Sequence, residues 1–110
     1  MLILAVLIGC LGKIETVDDF ETQFALSQCQ AYRQCNRMLF DGKYEGMNDC
    51  QQSVEQSVRE ENQTLFMDCN FIAEQATECI QEMNTSTCGD LWVNEQELYS
   101  VCHEDVWQCQ

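Results

Sequence analysis

Basic residues are scarce in this chain. Five Lys and Arg stand against 19 Asp and Glu, so with the single His neutral the formal charge is −14 over 110 residues. Phosphate backbones are gripped by clustered Lys and Arg, and a balance this acidic argues against nucleic acid as a partner. Proline is absent, and no apolar run reaches the roughly 20 residues of a membrane-spanning helix. Catalytic signatures are missing as well: there is no G-x-S-x-G, no glycine-rich phosphate loop and no zinc-protease helix. The cysteines form no C-x2-C or C-x4-C zinc knuckle, no C-x-x-C redox centre and no C-x-x-C-H haem site. The expectation is a chain without metal, cofactor or enzymatic activity. A length of 110 residues supports one domain, and 45% hydrophobic residues argue against disorder despite the charge.

What the chain has in excess is cysteine. Nine in 110 residues is the usage of oxidised, secreted proteins. The first of them follows an apolar run, Met1-Leu2-Ile3-Leu4-Ala5-Val6-Leu7-Ile8, with polar residues beginning at Lys13. That run is close to the shortest signal-peptide core. No basic residue precedes Cys10, so the expected leader has its true start upstream. Leu7-Ile8-Gly9-Cys10 resembles a bacterial lipobox, in which a small residue precedes the cut and the Cys thiol carries a diacylglycerol. Several acyl chains anchor stably, since each buried CH₂ contributes about 0.8 kcal/mol and one chain alone is marginal. Leu11 rather than Asp after Cys10 leans the expected destination toward the outer membrane. The alternative is a soluble secreted effector or inhibitor whose Cys10 leaves with the leader.

Parity points the same way. Setting Cys10 aside leaves Cys29, Cys35, Cys50, Cys69, Cys79, Cys88, Cys102 and Cys109, an even set that can form disulfides with no stranded thiol. The expected division is therefore a signal segment over 1–9, an anchor and tether over 10–17, and a disulfide-rich helical domain over 18–110.

Within that domain, residues 18–40 contain no Gly or Pro and carry Phe20, Phe24, Ala31, Cys35, Met38 and Leu39 on one stripe, widened by Leu26, Cys29 and Tyr32. Asp18, Asp19 and Glu21 open it, and Arg33 and Arg37 lie toward its end, in line with the helix dipole. One long helix is predicted. Asp41-Gly42-Lys43 and Gly46 mark a turn. Asn48 with Gln51 suggests a capping box before a thin stripe of Cys50, Val54 and Val58 that fades at Glu60, Glu61 and Asn62. Asn70 is read as the cap of a third helix bearing Ile72, Ala76, Cys79, Ile80 and Met83, and Thr87 with Asp90, then Asn94 with Glu97, as further helix starts. No alternating run suggests a sheet. The fold class is all-α: a small disulfide-stapled bundle of three to four helices.

Helix geometry limits the pairing. Cys29 and Cys35 lie about 9 Å apart along one helix axis, beyond the reach of a disulfide between them. Symmetry about the Gly42 turn favours Cys35–Cys50, and symmetry about the Asn84 turn favours Cys79–Cys88, with the remaining four open. Three other features have bland readings. His103 beside Glu104 and Asp105 reads as a solvated tail residue. Glu74, Glu78 and Glu82 read as a solvated helix face rather than a cation site. Trp92, Tyr99, Val101 and Trp107 read as closing the core, with a protein-partner surface as the rival. Asn62-Gln63-Thr64 and Asn84-Thr85-Ser86 match the N-glycosylation pattern, which carries meaning only in a eukaryotic secretory pathway.

The sequence of Gln28-Cys29 through Cys35, Asp49-Cys50, Phe71 to Ala76 before Cys79-Ile80, and Cys88-Gly89-Asp90-Leu91 resembles a group of uncharacterised small disulfide-rich lipoproteins of myxobacteria and related Gram-negative bacteria. In that group a paired-Cys first helix precedes a Cys that opens the second, an Ala-rich third helix ending in Cys-Leu, and a Cys-terminated tail. The present chain departs from it in lacking Pro and in placing Ile80 where Leu is usual. The resemblance implies a disulfide-bonded helical domain at the envelope and no activity.

Overall fold

The computed structural model describes residues 13–91 and 102–109. Its first helix, α1 (Val17–Cys35), starts at a complete capping box. Thr16 Oγ1 accepts from the Asp19 amide at 3.1 Å, and Asp19 Oδ2 accepts from the Thr16 and Glu15 amides at 3.2 and 3.1 Å. These bonds to the charged form hold the Asp19 carboxyl below its ordinary pKa. Ile14, ahead of the cap, is buried in the core.

The predicted single helix over 18–40 is broken at Asn36. That residue closes α1 and caps α2 (Arg37–Lys43), its side chain accepting from the Leu39 amide at 3.2 Å. Asn is a good helix N-cap and a poor interior residue, which is why the break falls there. α3 (Met47–Leu65) begins one residue before Asn48, with Gly46 as its N-cap and no side-chain cap bond. Asp49 instead accepts from the Glu45 amide at 2.9 Å, so the expected Asn48–Gln51 box does not form. α3 also continues past Glu60–Asn62 to Leu65.

Asn70 is not a cap. It pairs in a two-residue strand, β1 (Asn70–Phe71), antiparallel to β2 (Trp107–Gln108), with Phe71 opposite Trp107. α4 (Ala73–Thr85) follows from Ile72, whose amide donates to the Val106 carbonyl at 2.8 Å. Two single turns, α5 (Cys88–Leu91) and α6 (Cys102–Asp105), complete the described elements. The predicted start at Asn94 and Glu97 lies outside the described residues. The fold is all-α with one minimal ribbon, as expected for a stapled helical bundle.

α1 is the central element and packs on both α3 and α4. Phe20, Phe24, Ala25 and Cys29 from α1 meet Cys50, Val54 and Val58 from α3 and Ala76, Cys79, Ile80 and Met83 from α4. Phe20, Cys29 and Cys50 are fully buried. Among the described residues, no helix is long and apolar enough to cross a membrane.

All eight cysteines beyond Cys10 are paired, and both preferred pairs are corrected. Cys29 joins Cys50, Cys35 joins Cys88, Cys69 joins Cys109, and Cys79 joins Cys102. The reason lies in α2. Folding residues 37–43 into a separate helix moves the centre of the α1–α3 hairpin from Gly42 back toward Leu39. Cys29 thereby comes level with Cys50, at a Cα–Cα distance of 6.0 Å. Cys35 passes the end of that interface and meets Cys88 on α5, leaving Cys79 free to tie α4 to α6. By loop-closure entropy each bridge contributes roughly 3–4 kcal/mol, without strict additivity because the loops overlap.

Candidate functional site

The apolar stripe of α3 advances in steps of four: Cys50, Val54, Val58. The next step is Asn62, which is 4% exposed. On α1 the stripe Cys29–Ala25 extends back to Glu21, which is 2% exposed. Helical periodicity therefore carries a carboxylate and an amide into the interior, where burial without partners would cost several kcal/mol. They satisfy each other. Asn62 Nδ2 donates to Glu21 Oε2 at 2.8 Å, and Arg59 Nε donates to Glu21 Oε1 at 3.2 Å. Arg59 also donates from Nη2 to Glu55 Oε2 at 2.8 Å. These two carboxylates, Glu21 first, raise the guanidinium pKa above its ordinary value.

The third buried member is His103, and the solvated-tail reading is overturned. α6 carries it inward, 5% exposed, between Cys102 and Val106. Phe20 stacks on its ring at a centroid distance of 6.0 Å, Phe24 lies at 5.4 Å, and Phe66 meets it edge-on at 5.8 Å. Its Nε2 lies 2.9 Å from Asn62 Oδ1. The protonation of that nitrogen follows from the chain of partners. A carboxylate only accepts, so Asn62 must present its nitrogen to Glu21 and its oxygen to His103. Nε2 therefore carries a proton and donates it, and Nδ1 is the titrating nitrogen. It faces Glu61 Oε1 at 3.6 Å. Burial pushes the imidazole pKa below 6.5, against the opposing pull of Glu61, Glu104 and Glu21.

This polar seam separates two recesses. On the Nδ1 side lies a pocket of about 480 Å³ between α1 and α3, lined by Phe24, Gln28, Tyr32, Lys43, Tyr44, Val54, Glu61 and His103. Lys43 Nζ sits over the Tyr32 and Tyr44 rings at 5.7 and 5.6 Å. On the Glu21 side a more apolar cleft of about 560 Å³ is lined by Arg59, Asn62, Phe66, Met67, Phe71 and Trp107. Trp107 stacks on Phe66 at 5.1 Å and meets Phe71 at 5.5 Å. Its Nε1 is buried and has no hydrogen-bond partner among the described residues.

The other sequence-predicted residues stay apart from the seam. Glu74, Glu78 and Glu82 are exposed along α4, as a solvated face should be. Trp107 packs against the core, whereas Cys10, Trp92, Tyr99 and Val101 lie outside the described residues. Of the two glycosylation patterns, Asn62 has its amide committed inside the fold, and Asn84 is exposed. No group of three or more His, Cys, Asp or Glu among the described residues is placed to hold a metal.

Compared with known protein families, curated proteins and solved structures, the chain matches none.

Proposed function

We propose that this chain is a lipid-anchored protein of the cell envelope, acting through a non-enzymatic, disulfide-stapled helical binding module. The observation that carries the reading is that all eight cysteines among the described residues are paired with one another. Four bridges belong in an oxidising compartment. The ninth cysteine of the sequence, Cys10, stands at the lipobox-like Leu7-Ile8-Gly9-Cys10. A thiol there is the lipid carrier, the membrane is the first partner, and Leu11 favours the outer membrane. The packed domain, beginning with Ile14, then sits a few residues from the bilayer surface and offers its two recesses to ligand or protein.

Metabolic labelling with a radioactive or clickable fatty acid in a Gram-negative host tests the anchor. Label on the wild-type chain and none on Cys10→Ala is the expected result. An unlabelled, freely soluble wild-type protein would instead make it a secreted effector or inhibitor.

A further inference from the structure

The tautomer fixed by Asn62 leaves a lone pair on His103 Nδ1, and the group facing it is the Glu61 carboxylate at 3.6 Å. Two acceptors thus stand side by side on the wall of one pocket of about 480 Å³. Two adjacent acceptors are mutually repulsive unless a donor stands between them. The His103 side chain is 7% exposed and cannot turn away without breaking its bond to Asn62. Glu61 is half exposed, so the gap opens into the pocket. We propose that this pocket binds a small primary amine, its ammonium group seated between His103 Nδ1 and the Glu61 carboxylate.

An ammonium group fits on three counts. It brings three N–H donors, enough to serve both acceptors at once. Its charge meets a carboxylate in a chain of −14, so the surrounding field favours it. Its alkyl stem finds apolar walls in Phe24 and Val54. The opposite end of the pocket already holds a cation, Lys43 over Tyr32 and Tyr44, which orients the amine toward His103.

A proton on Nδ1 competes with the amine, because imidazolium would itself bridge to Glu61. The charged groups around the ring are Glu61 on α3, Glu21 on α1 with its partner Arg59, and Glu104 on α6, with Lys43 of α2 across the pocket. Affinity is therefore highest with the imidazole neutral and falls as the pH is lowered through its titration.

The inference rests on the binding-module reading but is tested separately from the lipid anchor. The full oxidised chain is titrated with pentylamine and, in parallel, with pentanoate, while NMR follows the His103 ring nitrogens. Saturable shifts at His103 with pentylamine alone are expected, together with a loss of about tenfold in affinity in Glu61→Gln, the scale of one charge-assisted bond. That variant keeps the fold, because Glu61 is half exposed. Weaker pentylamine binding at pH 5 than at pH 8 supports the site. Equal binding of pentanoate, a Glu61→Gln affinity equal to wild type, or no shift at millimolar amine would overturn it. A chain that takes fatty-acid label at Cys10 and yet ignores the amine overturns this inference alone.

Discussion

The two ends of the α1–α3 interface are held by different physics. At one end, Cys29 and Cys50 are joined covalently within the hydrophobic core. At the other, the same two helices meet through Glu21, Arg59 and Asn62, with His103 added from the tail. Both ends occupy the same helical stripes. The thin apolar face of α3 supplies only Val54 and Val58 between Cys50 and Asn62, so the middle relies on hydrophobic burial and an exposed hydrogen bond from Thr22 Oγ1 to Glu55 Oε2 at 3.2 Å. The bridge at the apolar end carries no titratable group and yields only to reductant. The polar end contains the titratable His103, leans on the Cys79–Cys102 bridge beside it, and depends on every member being present.

The largest effect should come from the covalent end. Each bridge contributes roughly 3–4 kcal/mol by loop-closure entropy, while a domain of this size has only about 5–15 kcal/mol in total. Reducing all four should abolish cooperative unfolding near room temperature, seen by circular dichroism with and without reductant. An unchanged Tm would show that packing holds both ends. Before reduction, alkylation should find no free thiol among the eight cysteines of the helical domain. Non-reducing peptide mapping should join Cys29 to Cys50 and Cys35 to Cys88.

The polar end should rank second. Asn62→Leu leaves Glu21 Oε2 and His103 Nε2–H buried without partners, a loss of about 2–4 kcal/mol. At about 4–8 °C per kcal/mol for a domain near 100 residues, the fall in Tm is readily measured. The comparison sharpens with Glu21→Leu added to Asn62→Leu. Removing both polar partners should cost less than Asn62→Leu alone, because the stranded carboxylate goes with them. A double variant that is additively worse would mean that the two ends differ in composition and not in the way they are held.

The helical class was legible in the sequence because the stripes on α1 and α4 are wide and regular, and because cysteine excess and parity signalled the staples. The pairing was not. Hairpin symmetry depends on where the chain reverses, and Asn36 moved that point; its cap signal lay inside an otherwise uninterrupted helical pattern. Nor did the polar seam announce itself, although Asn62 and Glu21 continue two apolar stripes at four-residue steps. Polar residues there read as the stripe fading, since burying them is costly unless partners arrive from elsewhere. The partners of Asn62 are Glu21 and His103, each 41 residues away. A three-residue neighbourhood of His103, Glu104 and Asp105 suggests only solvent, while Cys102 and Val106 on either side are the buried residues that draw the imidazole inward.

The smallest effect expected, and the one that separates the two ends most cleanly, is pH dependence. Burial lowers the His103 pKa in the folded state below its ordinary 6.5. As the pH falls below about 6.5, the unfolded chain therefore takes up this proton first, and folding loses stability. The contribution is fully present above that pH and declines below it, levelling off only when the folded imidazole is itself protonated and bridges to Glu61. Acid also relieves the self-repulsion of a −14 chain, so the total profile mixes terms of opposite sign. His103→Gln isolates the histidine, because a glutamine amide can still donate to Asn62 but does not titrate. Denaturant unfolding of both proteins between pH 5 and pH 8 should give a stability difference, wild type minus variant, that shrinks as the pH falls. A difference that instead grows in acid would mean that the imidazolium–Glu61 pair outweighs desolvation, making the polar end an ion-pair lock strengthened by protons.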